Sequence, residues 1–124
     1  MIYHITGKLD WDKAKQSESY TAESLNTEGF IHCSLLRQIR DTANLFFKGQ
    51  KKLVILCVDE AKLSSVCKYE NPTLQGKPDP DVGNLFPHIY GPINLSSIVK
   101  VVKFPPDEHG LFNLPEELII LMPQ

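Results

Sequence analysis

Short β-like stretches alternate with brief amphipathic ones along this chain. Residues 1–6 (MIYHIT) alternate in polarity and are rich in β-formers, which predicts an opening strand. Asp10 has the chemistry of a helix N-cap, and Trp11–Ser17 follows as a short helix with Trp11 and Ala14 on one face. Tyr20–Leu25 reads as one more helical turn before a Glu28-Gly29 turn, and Phe30–Ser34 (FIHCS) reads as a second strand. Ser34 then stands as the cap of the clearest helix, Leu35–Phe47. Its apolar positions Leu36, Ile39, Ala43 and Phe46 keep the 3-4 spacing of a buried face, and Gly49 supplies the stop. On this pattern Trp11, Phe46 and Phe47 belong to the core.

Lys52–Val58 is a nearly continuous apolar run, the mark of a strand covered on both faces. Asp59 caps one helical turn at Glu60–Leu63, and Val66–Tyr69 forms another strand. Glu70–Asn84 is broken by Pro72, Pro78 and Pro80 into a long loop, a length that points to function or mobility in so small a domain. It leads into the extended segment Phe86–Pro92. Ser96-Ser97 opens a strand at Ile98–Phe104, and Pro115-Glu116-Glu117 opens a last turn before the apolar Leu118–Met122. Strands outnumber helices without alternating regularly with them. The fold class is therefore α+β: a split, mixed but largely antiparallel sheet with one main helix and several short ones.

Composition changes this picture little but removes whole classes. The 124 residues suit one domain, and a net charge of −2 without a Lys/Arg cluster argues against a nucleic-acid partner. The longest apolar run is Leu53–Val58, far short of the roughly 20 residues that span a bilayer, so no membrane partner is expected. The start Met1-Ile2-Tyr3-His4 lacks the basic opening of a secretory leader, and three cysteines (Cys33, Cys57, Cys67) make an odd, unpatterned set. Cytoplasmic localisation is the expectation. Neither GxGxxG nor GxxxxGK[ST] occurs, so the common nucleotide folds lose their main support.

The candidate chemistry lies in the histidines. His4, His32 and His88 fall in extended segments, and each is followed two residues later by a hydroxyl: Thr6, Ser34 and Tyr90. Residues i and i+2 share a strand face, so each segment presents an imidazole beside a hydroxyl. The plainer reading makes each of these an ordinary, hydrogen-bonded core histidine. Taken jointly they predict one polar pocket. A metal site is not expected, because Cys33 and His32 point to opposite faces and no carboxylate shares the spacing. A Cys–His nucleophile fails on the same geometry. His109 reads as a surface residue, and Glu70 stands at the mouth of the long loop.

The set YHIT, SL-x-x-EGFIHCS (Ser24–Ser34), ANLFFKG (Ala43–Gly49) and FPHIYGPI (Phe86–Ile93) closely resembles the DUF952 family, small proteins of unknown function. The resemblance runs from about residue 1 to residue 112, leaving about 113–124 as a C-terminal extension. That family is similar in fold to the ADP-ribosyltransferases and RNA 2′-phosphotransferases, which bind NAD in the cleft of a split sheet. The resemblance implies NAD or an ADP-ribose-containing ligand as cofactor. It implies catalytic roles for His4, His32 and Tyr90, and ligand binding by His4, Thr6, Ser34, His88 and Tyr90. No Glu stands in the late-strand position that those transferases use. Three readings follow: an NAD-using transferase or glycohydrolase, a non-catalytic domain for a nucleotide or small metabolite, and a structural domain.

Overall fold

The first strand, β1 (Ile2–Gly7), is followed without a loop by helix α1 (Lys8–Ala14). Gly7 is the N-cap, and Asp10 lies within the first turn, where a carboxylate complements the helix dipole. The cap expected at Asp10 is thus displaced by three residues, because β1 runs on to Gly7. A two-residue strand β2 (Ser19–Tyr20) and helix α2 (Glu23–Thr27) come next. Tyr20 is therefore a strand residue rather than part of a turn of helix. Gly29, at φ +90°, takes the left-handed conformation that turns the chain into β3 (Ile31–His32).

The main helix begins later than its apolar pattern suggests. Leu36–Gln38 is a 3-10 turn that runs into α3 (Ile39–Phe46). Ser34 does not cap it, because its backbone is taken by Tyr3 in a two-bond antiparallel bridge (2.9 and 2.7 Å). The Gln38 side chain instead reaches back to accept from the Leu35 N–H at 2.8 Å. The chain continues through β4 (Leu53–Val58), a 3-10 turn at Glu60–Lys62, β5 (Cys67–Glu70), β6 (Thr73–Leu74) and β7 (Lys77–Pro78). It ends with β8 (Phe86–Ile89), β9 (Ile93–Asn94), β10 (Ile98–Lys103) and α4 (Glu116–Ile119). Asp59 does cap its turn, accepting from the Ala61 N–H at 3.0 Å. The computed structural model describes residues 1–71, 73–74, 77–78 and 84–120. Most of the proline-broken loop before Asn84, and the end of the Leu118–Met122 run, lie outside them.

Two three-stranded sheets carry the molecule, in the orders β1-β4-β10 and β3-β8-β5. Every described pairing is antiparallel, so the expected α+β sheet is present but without its parallel component. The Tyr3–Ser34 bridge joins β1 to the segment that follows β3, and the sheet system splits there. Strand β4 is buried along its whole length, as its apolar run requires. One face packs Tyr3, Ile5 and Ile55 against Ile39 and Ala43 of α3, with Phe104, Phe112 and Leu118 closing the core. The other packs Ile2, Leu56 and Val58 against Tyr20, Ile31 and Ile89.

Leu118 and Phe112 are fully buried, so the chain after β10 is anchored to the domain as far as Leu118. Asn44 of α3 secures it: its amide donates to the Phe112 carbonyl (2.9 Å) and accepts from the Phe112 N–H (2.8 Å). One residue of the α3 stripe leaves the core. Phe46 is 55% exposed, because none of the described elements packs over the helix at that turn.

Candidate functional site

Strand alternation places His4 and Thr6 on the β1 face opposite Tyr3 and Ile5, at the seam between the two sheets. His4 is buried, and both of its ring nitrogens are engaged. Nδ1 lies 2.6 Å from the His32 backbone carbonyl and Nε2 lies 2.8 Å from the Tyr20 hydroxyl. A carbonyl only accepts, so Nδ1 carries the proton. Burial, the largest influence, pushes the His4 pKa down to about 4, so the ring is neutral at pH 7. Nε2 is then an acceptor, and the Tyr20 hydroxyl donates to it. Tyr20 has one proton, so the 2.9 Å contact between its oxygen and Thr6 Oγ1 is made by the threonine donating. The buried chain Thr6 → Tyr20 → His4 → His32 carbonyl has a single direction. Burial also pushes the Tyr20 hydroxyl up to about 12, which keeps that proton in place.

This chain opens onto a cleft of about 630 Å³, within the ordinary range of ligand pockets. His4, Thr6, Tyr20, His32, Ser34 and His88 all line it. Antiparallel register sets His32 directly across from His88, with ring centroids 5.4 Å apart. Each imidazole has its own carboxylate. His32, exposed on the rim, donates from Nε2 to Glu28 at 3.0 Å, four residues back in sequence. His88 is buried and donates from Nδ1 to Glu70 at 2.9 Å, with Phe30 stacked on its ring at 4.1 Å. Burial outweighs the carboxylate and holds the His88 pKa below its usual value.

Five of the six residues singled out by the His–hydroxyl pattern thus meet at one cleft. Tyr90 does not line it. Its ring centroid lies 5.4 Å from that of Phe30 and 5.0 Å from the Lys68 ammonium, and its hydroxyl donates to Glu70. That bond, more than His88, keeps the Glu70 carboxyl below the usual range. Sequence reasoning missed Tyr20, which carries no motif and joins the site only through the β2–β9 pairing. It also placed Phe46 and Phe47 in the core, whereas both line the cleft; Phe47 is half-buried and packs against the α3-side core as well.

All three cysteines are held in the thiol form. Burial raises the Cys33 thiol well above its ordinary value and pushes Cys57 and Cys67 up to about 11, so none is a thiolate at pH 7. Among the described residues no cluster of three His, Cys, Asp or Glu has metal-ligating geometry. None of their helices is long and apolar enough to cross a membrane.

Residues 5–101, which include four of the five cleft positions above and Tyr20, match the model of a family described as "Protein of unknown function (DUF952)". The chain belongs to the DUF952 family. Among solved structures, the crystal structure of protein CC0527 from Caulobacter crescentus is similar, with 30% identity and a TM-score of 0.80. The comparison covers 95% of this chain and 97% of that one. The solution structure of the same protein gives a TM-score of 0.75 at 30% identity, over 96% and 97% of the two chains. No curated protein matches. His4 lies one residue before the DUF952 match and Phe112 and Leu118 lie after it, yet all three belong to the fold.

Proposed function

We propose that the cleft binds a nucleotide-like ligand of the NAD or ADP-ribose type and positions it without transforming it. The observation that supports this is the closed chain from Thr6 through Tyr20 to His4 and the His32 carbonyl. Its floor is rigid and neutral, and both nitrogens of His4 are spent inside the protein. Such a floor holds a ligand against fixed dipoles, but His4 has no lone pair left to accept a proton. The transferase-like fold that the family resemblance implies points to the same ligand class.

One observation favours a second, enzymatic reading, that of an NAD-using transferase or glycohydrolase. His32 stands exposed on the rim with Glu28 orienting it, the pairing that general acid–base chemistry uses. Titration calorimetry of the full chain with NAD and with ADP-ribose, followed by chromatography for released nicotinamide, separates the two readings. Binding with NAD intact is the expected result. Nicotinamide release that disappears in His32→Gln would establish the second reading instead, and heat from neither ligand would remove both.

A further inference from the structure

The charged groups around the cleft have one sign. Among the described lining residues, Asp10, Glu23 and Glu28 are carboxylates and none is Lys or Arg. The adjoining recess of about 160 Å³, which shares Thr42 and Phe86 with the cleft, contains Arg37 together with Asp41 and so adds no net charge. The three histidines do not reverse the sign. His4 is neutral, and His32 and His88 each sit against a carboxylate. Asp10 and Glu23 have local reasons to be where they are, in the first turns of α1 and α2. Their field nonetheless falls into a concave, partly apolar space, where it is less screened than on a flat surface.

A second, independent feature is aromatic. Phe46, Phe47, Phe86 and Tyr20 line the same cleft, and Phe46 leaves more than half of its surface open. An exposed phenyl in a concave wall offers a π face, whose quadrupole attracts cations. Carboxylates with aromatic faces, and no lysine or arginine among the described lining residues, disfavour a phosphate-rich ligand and favour an aromatic cation.

We infer that the cleft is selective for the cationic half of its ligand: an N-ribosylated pyridinium such as nicotinamide riboside, rather than an anionic ADP-ribose moiety. This rests on the NAD-type cleft proposed above, names which end of that ligand is recognised, and sets ADP-ribose aside as the preferred occupant. The ribose hydroxyls would meet the hydroxyl groups of Ser34, Thr6 and Tyr20, and the charged ring the phenyl and carboxylate groups of the lining.

The test is calorimetry of the full chain with nicotinamide riboside, nicotinic acid riboside and ADP-ribose at low and high salt. Nicotinamide riboside should bind about tenfold tighter than ADP-ribose, with the preference shrinking as salt rises. The ring carboxylate of nicotinic acid riboside should weaken binding relative to the amide. Asp10→Asn with Glu23→Gln should weaken the cation severalfold and leave ADP-ribose unchanged or tighter. Phe46→Leu, which keeps apolar bulk but removes the π face, should weaken the cation alone. ADP-ribose binding as tightly as nicotinamide riboside would overturn the inference while leaving the cleft reading intact. Binding by none of the three would overturn the cleft reading, and the inference with it.

Discussion

His4 and Tyr20 lie sixteen residues apart and share a buried hydrogen bond of 2.8 Å, with ring centroids 5.1 Å apart. The bond fixes the imidazole tautomer and the tyrosine rotor together, and it ties β1 to the small β2–β9 ribbon across the floor of the cleft.

Tyr20→Phe keeps the ring and removes only the hydroxyl. His4 Nε2 and Thr6 then lose their shared partner in a buried setting, at a cost of about 1–3 kcal/mol. Urea unfolding should show a lower midpoint at unchanged slope. A midpoint equal to that of the parent would mean that water satisfies His4 and that the chain of hydrogen bonds contributes little.

The depressed His4 pKa makes stability depend on pH with a definite sign. Unfolded, the imidazole titrates near 6.5; folded, it titrates near 4. Between those values the unfolded chain holds more protons, so stability rises with pH. The contribution is complete above about pH 6.5 and is lost as pH falls toward 4. It amounts to a few kcal/mol at most, because each tenfold difference in proton affinity between the two states is worth about 1.4 kcal/mol. The His88 pKa, also lowered, adds with the same sign. Unfolding free energies at pH 7.5, 6 and 4.5 should therefore slope less steeply in His4→Asn than in the parent. Parallel curves for the two proteins would show that His4 titrates normally in the fold.

Phe46 and Phe104 provide a contrast between aromatic truncations. Phe104 is fully buried, and Phe104→Ala should cost about 3–5 kcal/mol. Phe46 is more than half exposed, so Phe46→Ala should cost only about 1 kcal/mol and weaken ligand binding instead. Thermal melts of the two variants check this. Equal losses would place Phe46 in the core after all.

Asn44→Ala removes both bonds that hold the backbone at Phe112. The expected cost is about 1–3 kcal/mol, concentrated locally because two buried backbone groups lose their partners. Hydrogen exchange should accelerate most at Phe112 and α4, while β4 keeps its protection. Uniform acceleration through the chain would mean that this segment unfolds only with the whole domain.

Glu70→Gln tests the second imidazole. The carboxylate supports the protonated form of His88 against the larger effect of burial, so its removal should lower the His88 pKa further. Ring-proton NMR titration reads that change directly. An unchanged titration would show that Glu70 serves Tyr90 alone.

Local order was legible in the residues. The period-2 pattern of MIYHIT, the continuous LVILCV run, the Asp59 cap and the shared face of His4 and Thr6 depend on neighbours within a few positions, and each appears where the pattern puts it. Those features rest on backbone geometry that a short segment imposes on itself. What lay beyond reach depended on partners distant in the chain. Ser34, the expected cap, has its backbone taken by Tyr3, and the helical segment starts one residue later with Leu35 as its N-cap. Tyr20 enters the site through a strand pairing with Ile93, and Glu70 reaches His88 through register with β8. Phe46 follows the helical stripe faithfully, but a stripe says only which face is apolar. Whether that face is covered depends on where the other elements stop, and over Phe46 the described ones stop short, leaving its phenyl as part of the cleft lining.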